Sequence, residues 1–105
     1  MENLQNQKSM KKPSHPGEVL QSLYLEPLLL SVSKVAIGLN VKQDTLQELI
    51  NGDLDITPDM ALRLSEAFNT TPQLWLNLQQ NFDLYQEEIK ERDFEIQHFW
   101  SGFEG

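Results

Sequence analysis

The 105-residue chain has no cysteine. A disulfide framework, a thiolate metal site and a cysteine nucleophile are therefore excluded. Its two histidines, His15 and His98, are too few for a multi-histidine metal centre within one chain. No apolar run exceeds three residues, as in Leu28-Leu29-Leu30, so no membrane span or secretory h-region is expected. The expected compartment is the cytoplasm, with no membrane partner. There is no glycine-rich phosphate loop, and nothing in the spacing of Ser, His and Asp suggests a catalytic triad. The chain is read as a non-enzyme with no metal and no cofactor. Positive charge is also scarce, with 8 Lys and Arg against 16 Asp and Glu, for a net charge of −8.

The distribution of that charge is uneven. The first 52 residues balance five lysines against five acids, whereas residues 53–105 set three cations against eleven acids. A field of this sign repels nucleic acid and attracts basic partners. Any DNA-binding surface must therefore work locally, against the bulk charge.

The length fits one domain. Residues 1–13 read as a polar, flexible N-terminal arm, residues 14–91 as the folded domain, and residues 92–105 as a short C-terminal strand and tail. Within the domain the apolar period is helical. Pro16 suits a first helical position, with Glu18 in the first turn, and Pro27 should end that helix. Ser31, Thr57 and Thr71 are N-cap residues, the latter two followed by Pro58 and Pro72. Asn40 sits where a tight turn needs positive φ, and Asn51-Gly52 closes the third helix. Five helices are predicted, over residues 16–26, 32–39, 43–50, 58–69 and 72–90. The expected core is Leu20, Leu23, Val35, Ala36, Leu39, Val41, Leu46, Leu49, Ile50, Ile56, Leu62, Leu64, Phe68 and Trp75. After residue 92 the period becomes two: Phe94, Ile96, His98 and Trp100 alternate with Glu95, Gln97 and Phe99, which reads as one strand.

Residues 31–52 carry the functional signal. Two short helices joined by a turn of about three residues form the helix-turn-helix layout. Ala36 is small where the helices cross, and Leu46, Leu49 and Ile50 bury one face of the second helix. Gln43, Asp44, Thr45 and Gln47 then project from its N-terminal half, where base edges are read. Lys34 and Lys42 are the nearby cations for phosphates. The bland alternative is a pair of amphipathic helices in a small bundle.

Further blocks bear on that choice. His15-Pro16-Gly17-Glu18-Val19-Leu20, Leu25-Glu26-Pro27-Leu28, Asn51-Gly52, Ile56 to Leu64, Phe68 to Gln79 and Asn81-Phe82-Asp83-Leu84 resemble the antitoxins of HigA type, also known as virulence-associated protein I. The resemblance covers roughly residues 14–86. It implies an all-α, five-helix, lambda-repressor-like (Xre-type) fold. It also implies a homodimer that binds the double-stranded operator of its own operon as a repressor. The partner it implies is a small basic RelE-like (HigB-type) ribonuclease toxin, which the antitoxin of such a type II addiction module neutralises. One loop departs from the pattern. Where the family carries basic residues after the Asn-Gly, this chain has Asp53-Leu54-Asp55, which opposes phosphate contact. Two alternatives remain: a stand-alone Xre-type transcriptional regulator, and a protein-interaction module that has lost DNA binding.

The helix over residues 72–90 is apolar over too wide an arc for one small core. Leu74, Leu76, Phe82, Leu84 and Tyr85, with Phe94, Ile96 and Trp100 of the strand, are the expected dimer interface. His15 is expected to cap or precede a helix. Arg63 is expected to pair with Asp59 or Glu66, and Trp75 to lie in the core.

Overall fold

The structure is a computed structural model that describes residues 12–100. Among them it is all-helical, with five helices in sequence. Helix α1 is α-helical over Pro16–Val19 and continues without a break as a wider π-helix over Leu20–Leu25. Helices α2, α3, α4 and α5 span Val32–Leu39, Gln43–Ile50, Pro58–Phe68 and Pro72–Glu88. Residues 1–11 and 101–105, with most of the proposed arm and the end of the tail, lie outside the described residues.

Each start signal works as its chemistry requires. Ser31 Oγ accepts from Lys34 N at 3.0 Å, Thr57 Oγ1 from Met60 N at 3.2 Å and Thr71 Oγ1 from Leu74 N at 3.1 Å. His15 caps α1 through Nδ1, which accepts from Gly17 N at 2.9 Å. Three of the ends differ slightly from the predicted ones. Asn69 takes the left-handed conformation (φ 59°), so α4 stops at Phe68, and α5 ends two residues early at Glu88.

The core joins all five helices through Leu20, Leu25, Val35, Ala36, Leu39, Leu46, Leu49, Ile56, Met60, Ala61, Leu64 and Trp75. Trp75 is fully enclosed and donates from Nε1 to Thr70 Oγ1 at 2.8 Å, while Tyr24 tilts between it and Phe68. Burying a Trp costs little when its one polar atom finds an acceptor. Val41, Ile50 and Phe68 are half-buried at the edge of this cluster.

Two expected core residues are not in it. Leu23 is 64% exposed and Leu25 is buried in its place. The cause is the π-turn, in which Glu26 N donates to Gln21 O, five residues back, at 3.0 Å. That wider winding brings Leu20 and Leu25 onto one face and turns Leu23 outward. Leu62 is 53% exposed because Met60, Ala61, Leu64 and Ser65 define the inward face of α4.

The predicted strand is also corrected. Residues 94–100 form no strand, and Phe94, Ile96, Phe99 and Trp100 are exposed. A strand exists only as part of a hydrogen-bonded ladder, and no strand occurs among the described residues.

Tight contacts fix α1 against α3. A Cβ on Gly17 would lie 1.8 Å from the carbonyl oxygen of Leu49, so only glycine allows the two backbones to meet there. The His15 ring fills the adjoining space, near Gly52 and edge-on to Phe82 at a centroid distance of 5.0 Å.

Candidate nucleic-acid interface

The α2–turn–α3 unit is built from the end of α2. Asn40 adopts φ 60°, ψ 47°, and Val41 N donates to Ala36 O at 3.0 Å, which closes the helix and redirects the chain. Arg63 of α4 locks the turn from below. Its Nη1 donates to Leu39 O at 2.8 Å and to Asn40 O at 3.0 Å, while Nε pairs with Asp59 Oδ2 at 2.9 Å. Asp59 was one of its two expected partners. The backbone contacts are an addition that composition alone does not signal.

Helix α3 then begins after Lys42, and Leu46 and Leu49 are its buried anchors. Its exposed residues are Gln43, Asp44, Gln47 and Glu48, with Asn51 just beyond its end. Gln47 Nε2 donates to Asn51 Oδ1 at 3.0 Å, which orients both amides along the helix surface. Thr45 is half-buried and lies at the edge of this face. Lys42, directly before α3, and Lys34 on α2 are both exposed. Five of the six predicted DNA-facing residues, Lys34 on α2, Lys42 at the N-cap of α3 and Gln43, Asp44 and Gln47 on α3, are thus solvent-accessible, and Thr45 is the marginal one. The surface offers amides, carboxylates and a few cations, suited to hydrogen-bonded recognition rather than to strong charge attraction.

The acidic loop after α3 is held in a defined position. Gly52 has φ 85°, and Asp53 N donates to Glu48 O at 2.8 Å. Leu54 packs on the core. Farther on, the buried Gln79 of α5 accepts from Ile56 N at 2.7 Å and donates to Asp55 Oδ1 at 3.2 Å and Asp83 Oδ1 at 2.9 Å. Sequence reading missed Gln79. The available signal was a polar residue four places after Trp75, on the otherwise apolar stripe of α5.

The proposed dimer residues divide into three groups. Phe82 turns toward its own domain, against His15, and Tyr85 is half-buried. Leu76 and Leu84 line a shallow open groove with Ile56, Gln80, Asp83 and Glu87. Leu74 is exposed at the start of α5, and Phe94, Ile96 and Trp100 are exposed beyond its end. Arg92 lies over the Phe94 ring at 5.6 Å. Among the described residues no three His, Asp or Glu side chains converge to hold a metal. No helix there is long and apolar enough to cross a membrane.

The sequence signature of the helix-turn-helix family matches residues 23–75. Antitoxin HigA-1 of Vibrio cholerae is 36% identical over 89 residues, which cover 79% of this chain and 84% of its own. The chain belongs to the helix-turn-helix family that includes the HigA antitoxins. That family comprises antitoxins and transcription regulators, not enzymes. An uncharacterized HTH-type transcriptional regulator of Haemophilus influenzae is 43% identical over 82 residues, 78% of this chain and 77% of its own. The antitoxin GraA, solved in complex with its operator, superposes with a TM-score of 0.73 at 33% identity, covering 87% of this chain and 95% of that one.

Proposed function

We propose that this HigA-family protein is the antitoxin of a type II toxin–antitoxin module. In this reading it binds operator DNA as a dimer through the exposed face of α3 and neutralises a basic RelE-like ribonuclease toxin. The observation that carries the DNA-binding part is the α2–Asn40–α3 geometry, with α3 exposed along its polar face. Its similarity to an antitoxin solved on its operator supports the same reading. The toxin part rests on family membership and on the eleven acids of residues 53–105, which suit a basic partner.

In the dimer, two copies meet through the outer side of α5 and the exposed aromatic segment beyond it. The two α3 helices then lie about 34 Å apart, one turn of DNA. Lys34 and Lys42 meet phosphates, and Gln43, Asp44, Thr45 and Gln47 meet base edges. With so few cations per copy, the free protein binds weakly at physiological salt, with a shallow salt slope. A bound basic toxin offsets the negative charge and strengthens binding.

The test is co-expression with the product of the adjacent gene, purification through one partner, and anisotropy titration of the upstream DNA across a salt series. Recovery of a complex and sequence-dependent DNA binding is the expected result. Replacing Asp53 by Lys, which leaves the Asp55–Gln79 hydrogen bond in place, should raise affinity by roughly severalfold, with little regard to DNA sequence, because phosphate contacts carry no base information. The 43% identity to an uncharacterized HTH-type transcriptional regulator supports a second reading, a transcriptional regulator acting without a toxin. In that case DNA binding survives but no toxin co-purifies.

A further inference from the structure

Asp44 stands out on α3. At 3.6 residues per turn, the buried Leu46 and Leu49 and the half-buried Ile50 set the inward direction, and Asp44 points almost directly opposite. It is the second residue of the helix, at the end that reaches base edges when such a helix enters a major groove. It has no ion pair among the described residues, where the two pairs are Arg63–Asp59 and Lys90–Glu87. Its neighbour Gln47 is engaged with Asn51.

A carboxylate in the first turn favours the helix itself. On a DNA-facing surface the same charge meets phosphates, and only Lys34 and Lys42 are near in the sequence to offset it. Binding there requires the carboxylate to find a hydrogen-bond donor. An ionised carboxylate only accepts hydrogen bonds. The major groove offers two donors, cytosine N4 and adenine N6, and next to adenine N6 lies the acceptor N7, which repels a carboxylate. Guanine and thymine present only acceptors at the matching positions.

We propose that Asp44 determines specificity on this face and selects a cytosine in each operator half-site. The proposal rests on the operator-binding reading above and adds to it the base that one residue chooses.

The experiment is selection from a duplex library with randomised half-sites, read by sequencing, with the full-length protein as wild type, Asp44→Asn and Glu48→Gln. Thermal melts establish that each variant is folded. The wild type should enrich cytosine at one position per half-site by about tenfold or more over other bases. Asp44→Asn should replace that cytosine with adenine, since an asparagine amide pairs with adenine N6 and N7 together, and leave the other positions unchanged. Glu48→Gln, one turn nearer the C-terminal end of α3, should keep the cytosine. If folded Asp44→Asn still selects cytosine at every position where the wild type does, the proposal is overturned while operator binding stands. If the wild type selects no sequence at all, the operator-binding reading falls and this proposal with it.

Discussion

The two halves of α5 meet different surroundings. In the first half Trp75 is fully enclosed with its Nε1 bonded to Thr70, and Gln79 is buried with three hydrogen-bond contacts. Phe82 closes this part by packing on His15. In the second half the apolar residues outnumber the places to bury them. Leu84 and Ile89 are exposed, and Phe94, Ile96 and Phe99 follow, also exposed, in a segment without regular secondary structure. The core of one chain is complete by residue 82, and the apolar surface beyond it suits contact with another molecule. The first half thus serves mainly folding, whereas the second carries exposed apolar surface.

The largest effect that would sharpen this contrast is expected at Trp75. Trp75→Ala should cost about 3–5 kcal/mol, enough to unfold much of the chain, and denaturant titration by circular dichroism checks it. Gln79→Ala comes next, at about 1–3 kcal/mol, because it leaves the buried Ile56 N–H without its acceptor. The same variant frees the Asp53–Asp55 loop, and faster amide exchange over residues 53–57 is its second readout.

Changes in the exposed apolar segment beyond residue 82 should behave differently. Phe94→Asp combined with Ile96→Asp should alter the stability of the helical domain by no more than about 0.5 kcal/mol, as is usual for exposed sites. Light scattering at micromolar concentration should report a dimer for the unaltered chain and a monomer for this variant. A monomeric mass for the unaltered chain would break the contrast.

The smallest effect is electrostatic. Glu87 donates nothing but accepts from Lys90 Nζ at 2.8 Å, and that hydrogen bond, with the ammonium charge, holds its carboxyl below the usual range. A lowered folded-state value stabilises above the ordinary carboxylate range and is lost as pH falls through the lowered value. The pair is exposed, so the effect should be small and vanish in high salt. Glu87→Gln should flatten the acid side of the melting-temperature profile slightly, at low salt only.

Much of the fold is legible in the residues because its signals are local. Ser31, Thr57 and Thr71 can satisfy the first amides of a helix from their own side chains, and Asn40 is a residue type that tolerates the left-handed conformation of the turn. Leu23 and Leu62 were misplaced for a different reason. Apolar spacing reports that a face exists, but the wider turn of α1 and the choice of inward stripe on α4 depend on what packs against them. Gln79 was hidden because its value lies in Ile56 and Asp55, 23 and 24 residues away. At the candidate interface, the exposed set on α3 was readable from its period, whereas the half-burial of Thr45 and the locking of the turn by Arg63 were not.

By itself the sequence determined the helix starts, the left-handed turn at Asn40 and the polar outer face of α3, since each follows from a residue's own side chain or from helical period. Only the tertiary structure decided that Gly17 must admit the Leu49 carbonyl, that Gln79 fixes the acidic loop, and that no strand forms among the described residues 94–100. These depend on which groups arrive from elsewhere in the fold, because a glycine contact, a buried amide and a ladder each need a partner distant in sequence.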